Sequence, residues 1–278
     1  MKLPVASVIA GLVGLALVAP LVEGADGPKA PPIAPEDKAR LDALIGAYRA
    51  LPSYADQGTL KLAVVVGGRR VETTQKASVA FVRPKQVDIQ TDLVRVVCDG
   101  STLTTVVVPL KTYQATPAPK KLAESILRGG PLGAVEFGGV IGRPLAHVLN
   151  LVIGDEPERL IYDFAPKVAS EPDQVEGDAT YKVLRLDEAE NYDWRFLIDP
   201  KSGLLAHVDL VVKGDAAKSS IVGGDTHVES LRWSAGPIAA ETPKAEAFAF
   251  QPPEGYKAVA KLEQDVKAED AKPEGAPK

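Results

Sequence analysis

Hydrophobic and polar residues alternate with a period of two along most of the stretch from Gly58 to Tyr113. Leu60, Leu62, Val64 and Val66 interleave with Thr59, Lys61, Ala63 and Val65. Gly67-Gly68 reverses the chain, and Val71, Thr73, Gln75, Ala77, Val79 and Phe81 alternate on the way back to Arg83-Pro84. Short runs then predict strands at 86–90, 94–98, 102–108 and 112–115, with Asp99-Gly100 as a turn. Sequential antiparallel strands of this kind build a curved sheet or an open barrel.

The period changes elsewhere. Glu36-Asp37 opens a helix in which Leu41, Leu44, Ile45 and Tyr48 fall on one face, and Leu51-Pro52 ends it. Residues 120–127 and 145–153 read as short helices. Between them, residues 129–144 combine six glycines with Leu132, Val135, Phe137, Val140 and Ile141. A segment so rich in glycine and yet apolar suits a loop or lid lying on a hydrophobic surface. The β pattern returns at 181–186, 192–198, 204–212 and 226–233. Residues 173–177 read as a turn region, residues 214–225 as a loop, and Phe248-Ala249-Phe250 closes the fold.

Both ends lie outside this pattern. Met1-Lys2, the apolar run from Leu3 to Val22 and the polar return at Glu23 read as a secretory signal peptide over 1–24. Pro4, Pro20 and the small residues at the exit favour cleavage over a retained anchor. Residues 25–35 form a Pro/Ala/Gly linker and 36–260 the folded domain. Residues 261–278, rich in Ala, Glu, Lys and Pro, form a disordered tail.

Composition narrows the function classes. A net charge of −5 with acid and base interleaved argues against nucleic acid as a partner. Cys98 is the single cysteine, so no internal disulfide can form, and its strand setting makes it a buried small hydrophobe. His147, His207 and His227 are dispersed, which argues against a metal site, and no cofactor is expected. The carboxylates of Asp187, Glu188 and Glu190 fall in a turn. No G-x-S-x-G, H-E-x-x-H or phosphate-binding glycine motif occurs, so no catalytic residue is assigned.

The order of elements carries a resemblance. Tyr48-Arg49-Ala50-Leu51-Pro52-Ser53-Tyr54 leads from helix to strand, and Ala80-Phe81-Val82-Arg83-Pro84 and Val97-Cys98-Asp99-Gly100 follow. Trp194 to Pro200 and Phe248 to Gly255 come later. This succession, over roughly 36–259, resembles the LolA-like superfamily of periplasmic outer-membrane lipoprotein carriers and their exported relatives. The resemblance implies an α+β fold, an antiparallel half-open β-barrel with helices covering the concave face.

In that superfamily the hollow takes acyl chains, and an F-x-R-P arginine holds the covering segment shut; the matching residue is Arg83. The hollow would be lined by Leu60, Leu62, Val64, Val66, Val79, Phe81, Val87, Ile89, Val97, Leu103, Val107, Trp194 and Phe196. Leu132, Phe137, Val140, Ile141, Leu145 and Leu149 would belong to the lid. The function implied is a monomeric periplasmic binding or carrier protein for lipid or lipoprotein acyl chains, soluble after signal-peptide cleavage. Its partners would be a lipid or an acylated protein, together with an envelope protein. The chain departs from the carriers in its extra length and its glycine-rich segment. Two other readings stand beside this one: a non-catalytic envelope interaction or sensor domain whose hollow is filled by its own side chains, and an envelope lipid hydrolase. The last would bring a histidine within hydrogen-bonding reach of a Ser, Cys or carboxylate inside the hollow.

Overall fold

A computed structural model of the chain describes residues 33–127, 142–158, 161, 167–187, 192–213, 226–238 and 241–262. The expected signal peptide and most of the glycine-rich segment, with Leu132, Phe137, Val140 and Ile141, lie outside these residues. So does nearly all of the expected tail.

The alternation of Gly58–Phe81 becomes the longest hairpin of the molecule. Strand β1 (Ser53–Val66) pairs with β2 (Arg69–Val82) along its whole length, from Ser53 opposite Val82 to Val66 opposite Arg69. Its two-residue turn places Gly67 and Gly68 at φ 56° and 75°, a conformation that costs a residue with a Cβ. Strands β3 (Gln86–Gln90), β4 (Val94–Asp99), β5 (Thr102–Val107) and β6 (Thr112–Pro117) continue as an antiparallel meander. On the other side of the hairpin follow β7 (Lys167–Glu176), β8 (Ala179–Asp187), β9 (Tyr192–Ile198), β10 (Leu205–Val212) and β11 (Thr226–Ser234). With β12 (Lys257–Ala258) they form one twelve-stranded sheet, ordered β12-β6-β5-β4-β3-β2-β1-β11-β10-β9-β8-β7. Every pairing is antiparallel except β12 with β6. The β1–β11 seam joins the two halves, so the hairpin sits at the middle of the sheet.

Strand parity separates the two faces. Leu60, Leu62 and Val64 share one face with Val79, Phe81, Trp233, Val208, Phe196 and Leu184, all in one continuous apolar core. Three helices cover this inner face. Helix α1 (Pro35–Arg49) begins with Pro35, Glu36 and Asp37, residues suited to a helix N-terminus, and buries Leu41, Leu44, Ile45 and Tyr48 as its spacing predicts. Helix α2 (Leu122–Leu127) packs on α3 (Arg143–Ile153). Every residue of α3 from Pro144 to Ile153 is buried. A helix buried on every face must be enclosed on every side, and α3, whose buried face includes the polar His147 and Asn150, has β2, β10 and β11 against it as well as α1 and α2.

Two local expectations are corrected, at 173–177 and at Val97. Residues 173–176 are the end of β7 and not a turn region; the turn comes one residue later, with Gly177 at φ 58°. A register shift between Glu171 and Gln174 interrupts the alternation that would have marked the strand. Phe248 and Phe250 close the fold from outside the sheet. Phe248 ends a short 3-10 turn, Ala245–Phe248, that packs on β3 and β4, and Phe250 lies against the Tyr113 ring with centroids 5.1 Å apart. Val97 pairs with Thr104 and alternates out of phase with Val96 and Cys98, which belong to the inner core. It therefore lies on the outer face, buried with Val106 and Phe248 in a smaller cluster beneath the C-terminal segment.

The close approach of β1 to β11 generates a prediction. A Cβ at Gly58 would stand 2.6 Å from Nε1 of Trp233, whose indole is fully buried in the core. Gly58→Ala is expected to lower unfolding free energy by about 1–3 kcal/mol, the usual cost of overpacking, in urea titrations. Unchanged stability would mean that the indole has room to shift.

Candidate functional site

The inner face is where the expected site residues meet. Leu60, Leu62, Val64, Val79, Phe81, Val87, Ile89, Trp194 and Phe196 are all buried in the one core, at 0–9% exposure. Val66 and Leu103 pack against that core partly buried, and Val107 shares the face through its pairing with Val94. Val97 alone among the expected lining lies on the other side. Leu145 and Leu149 of α3 are buried in the same core, so the described part of the expected lid meets the expected lining.

Arg83 ties the helix layer to the sheet. Its Nε donates to the carbonyl of Leu51 at 3.0 Å and its Nη2 to that of Tyr48 at 3.2 Å, and its guanidinium lies 5.0 Å from the Phe81 ring centroid. The last carbonyls of a helix have no partner within it and carry the negative end of its dipole, so a guanidinium suits them in charge and in shape. Arg83, where the resemblance places a latch, is hydrogen-bonded at the C-terminal end of α1.

Beside this clamp the core holds a polar chain that sequence reading did not single out. Tyr48, from α1, accepts a hydrogen bond from the Leu205 amide of β10 at 3.2 Å and is hydrogen-bonded to Tyr54 of β1. Tyr54 donates to Asp56 Oδ2 at 2.5 Å. Asp56 is 5% exposed, and its other oxygen, Oδ1, has no hydrogen-bond partner. Burial pushes the Asp56 carboxyl up to about 6, with Tyr54 and the Gly58 amide pulling the other way. The same burial holds both tyrosines far above their usual range, so they stay protonated. A signal for this chain was present: Tyr54 and Asp56 share the parity of Gly58 and Leu60, and that parity faces the core.

Two further ties fix α1. Asp37 Oδ1 accepts from the Ser170 amide of β7 at 2.6 Å, and Arg40 donates to the Val183 carbonyl of β8 at 3.0 Å. The helix is thus held at its start to β7 and β8, and at its end to β1, β2 and β10.

The histidines are distributed over both faces. His147 of α3 is buried edge-on to Trp194 and Phe196, with centroids 5.9 and 5.1 Å away. His227 pairs with Val65 on the outer face, away from His207 along β11. His207 does reach a serine: Nδ1 lies 2.9 Å from Ser234 Oγ, and Nε2 lies 3.9 Å from Glu176. This pair sits on the outer face, outside the apolar core. Glu176 is already gripped by both Nη atoms of Arg232 at 2.8 Å, which holds its carboxyl below the usual range. Burial, then Arg232, keeps His207 below its ordinary value. The group belongs to an ionic lattice in which Arg232 also binds Asp209, Arg185 binds Asp193, Arg195 binds Glu171, and Lys213 bridges Asp187 and Asp193. Among the described residues no cluster of three or more His, Cys, Asp or Glu is placed to hold a metal ion. Nor is any helix there long and apolar enough to cross a membrane.

No family model and no curated protein matches the chain. Solved structures do. An uncharacterized conserved protein from Thermus thermophilus is 6% identical, with 81% of this chain and 98% of that one covered at a TM-score of 0.44. A LolA superfamily protein from Nitrosomonas europaea is 8% identical, with coverages of 77% and 97% and a TM-score of 0.31. MucB in its complex with MucA from Pseudomonas aeruginosa is 11% identical, with 78% of this chain and 61% of that one covered at a TM-score of 0.33. LolA superfamily and lipoprotein-sorting proteins are thus among the structures the chain is similar to. At this distance the likeness carries no functional argument.

Two outcomes follow from the ties of α1. Arg83→Ala is expected to cost about 1–2 kcal/mol for two charge-assisted hydrogen bonds, read by chemical denaturation. Arg83→Lys should recover little of it, because one ammonium cannot span both carbonyls. The second outcome concerns pH. Asp56 titrates higher in the folded chain, at about 6, than its ordinary 3.8. Its contribution is therefore fully present below pH 3.8 and is lost as pH rises through about 6. Asp56→Asn keeps an acceptor for Tyr54 and abolishes the titration. The variant should match the wild type near pH 4 and exceed it by about 2–3 kcal/mol at pH 8. An equal difference at both pH values would contradict the assignment.

Proposed function

We propose that the chain is an exported binding or carrier protein for lipid or lipoprotein acyl chains, held between the inner face of the sheet and its helical cover. One observation carries this reading. The inner face is apolar from β8 across the β1–β11 seam to β4, and its cover meets it almost entirely through apolar side chains. Such a cover can exchange its own contacts for those of an acyl chain, each buried CH2 contributing about 0.8 kcal/mol. The polar ties of α1 are few and confined to its two ends, which makes separation of the layers a local event. No step of this function asks for a nucleophile or a metal, and the Ser234–His207 pair stands apart from the acyl site.

A second reading has its own observation in favour. The residues expected to line the hollow, Val97 apart, belong to or pack on one core shared with the buried residues of α1 and α3. A permanently filled core would make the molecule an interaction domain of the envelope, with a protein partner at its surface.

The molecule carries its own reporters for deciding between them. Trp194 and Trp233 are its two tryptophans, and both are fully buried on the inner face. Brominated fatty acids should quench their fluorescence saturably, with unbrominated chains competing. Protein isolated from its native envelope should release lipid on extraction. Lipid-free protein with unquenched tryptophans would establish the second reading.

A further inference from the structure

Asp56 is the one described side chain of the inner core that is ionisable near neutral pH and keeps a carboxylate oxygen without a partner. On its own strand Tyr54 donates to it and Gly58 presents only backbone. From β2 the residue directly opposite is Val79. From α1 comes Tyr48, whose hydroxyl is bonded to Tyr54 and to the Leu205 amide of β10. From β11 comes the Trp233 indole, packed against Gly58. Arg83, at the same end of α1, has its guanidinium committed to the carbonyls of Tyr48 and Leu51. No cationic side chain among the described residues contributes to holding the Asp56 charge.

A carboxylate in this position is costly for as long as α1 stays down. Ionised, Asp56 has the Tyr54 phenol and the Gly58 amide in its favour but leaves Oδ1 without a partner in an apolar core, which a buried charge does not tolerate cheaply. Neutral, it has half the need and no charge to solvate. The simplest relief for the charged form is water, and the Tyr54 phenol that holds Asp56 is itself packed against Tyr48, in the C-terminal turn of α1, with ring centroids 5.9 Å apart. We infer that Asp56 is a proton-controlled catch for α1: protonated, it lets the C-terminal half of the helix seat on the sheet, and deprotonated, it shifts the helix towards an undocked state in which Tyr48 leaves the core.

The linkage has a definite sign and size. The docked state binds the proton more tightly than the open one, because the Asp56 carboxyl lies at about 6 when covered and at its ordinary 3.8 when wet. Rising pH therefore favours undocking, through a window from about pH 4 to pH 6. The ratio of open to docked molecules rises by up to about a hundredfold, tenfold for each pKa unit of displacement. The ties at the start of α1, Asp37 to Ser170 and Arg40 to Val183, lie on β7 and β8 and are untouched by this proton. They make the N-terminal half the hinge and the Tyr48 end the part that lifts. The catch concerns the ligand-free chain and stands or falls independently of what the inner face binds.

Hydrogen exchange of the full chain, read by mass spectrometry at pH 4, 5, 6, 7 and 8 and corrected for the intrinsic pH dependence of amide exchange, tests the inference. Peptides from the second half of α1 should lose up to about a hundredfold in protection between pH 4 and pH 8, with the tenfold midpoint at about pH 5 and the loss complete a little above pH 6. Peptides from β9 and β8 should hold theirs. In Asp56→Asn the α1 peptides should stay protected across the range. If that variant fails to fold, Tyr54→Phe supplies the alternative: without the phenol that favours the carboxylate, the midpoint should move to higher pH. A wild type and Asp56→Asn with the same pH dependence would overturn the inference. So would an unmoved midpoint in Tyr54→Phe, or a loss of protection that spreads evenly over the sheet.

Discussion

The Tyr48 hydroxyl has to be satisfied in a place without water, and much of the molecule is arranged around how this is done. Tyr48 is the last apolar-face residue of α1 and is 1% exposed. Burying a phenol without partners costs free energy comparable to a lost hydrogen bond. Its two partners, the Leu205 amide and the Tyr54 hydroxyl, belong to β10 and β1, the strands on either side of β11. One side chain therefore joins the helix layer to both halves of the sheet, and Arg83 reinforces the same point through the backbone carbonyl of the same residue. Because the bonds converge on one end of α1, the rest of the interface between the layers is left to apolar packing.

The two faces of the sheet solve opposite problems. The outer face beside β7–β11 carries the ionic lattice built on Arg232, Arg185, Arg195 and Lys213. Such pairs register neighbouring strands and keep that face wet. The outer face of β4–β6 is apolar at Val97, Val106 and Tyr113, and the C-terminal segment covers it. That segment anchors itself by pairing Lys257–Ala258 with β6. Only the inner face combines a broad apolar surface with a cover tied at its ends, which is why the acyl-chain reading is placed there.

Most of the sheet was legible because its physics is local. Alternation in Gly58–Phe81 reports strands half-buried on one side, and Gly67-Gly68 reports a turn with positive φ. The helix at 36–49 was legible from its spacing of Leu41, Leu44, Ile45 and Tyr48. What was not legible depends on contacts distant in sequence. Val97 stands in a run with valines on both parities, and its side was settled by a segment about 150 residues away that buries Phe248. Residues 173–176 read as a turn because a bulge breaks the alternation there. The Tyr48–Tyr54–Asp56 chain was hidden because Tyr48 passes for an apolar residue in a helical stripe. Asp56 in turn passes for a polar residue at a helix-to-strand junction. Extending the parity of Leu60 two steps past Gly58 would have placed a carboxylate in the core. The arginine of the F-x-R-P motif was singled out in advance, but its partners, the carbonyls of Tyr48 and Leu51, are backbone groups that no residue pattern announces.

The central claim is that the layers must part at the Tyr48 end of α1 for the inner face to accept an acyl chain. The structure offers a way to forbid that motion. A Cβ at Gly203, in the turn between β9 and β10, would lie 3.2 Å from the Cβ of Ala47, one residue before Tyr48. A double variant, Ala47→Cys with Gly203→Cys, can be bridged once the two Cβ atoms part by a few tenths of an ångström to the usual separation of about 3.5–4.5 Å; the Cβ on the left-handed backbone of Gly203 (φ 73°) strains the oxidised and reduced forms alike, and Cys98 stays buried and out of the exchange. The direct measurement is fatty-acid binding to this variant, oxidised and reduced, by quenching of Trp194 and Trp233. The account predicts that the reduced protein binds and the oxidised protein does not. Equal binding in both states would contradict it.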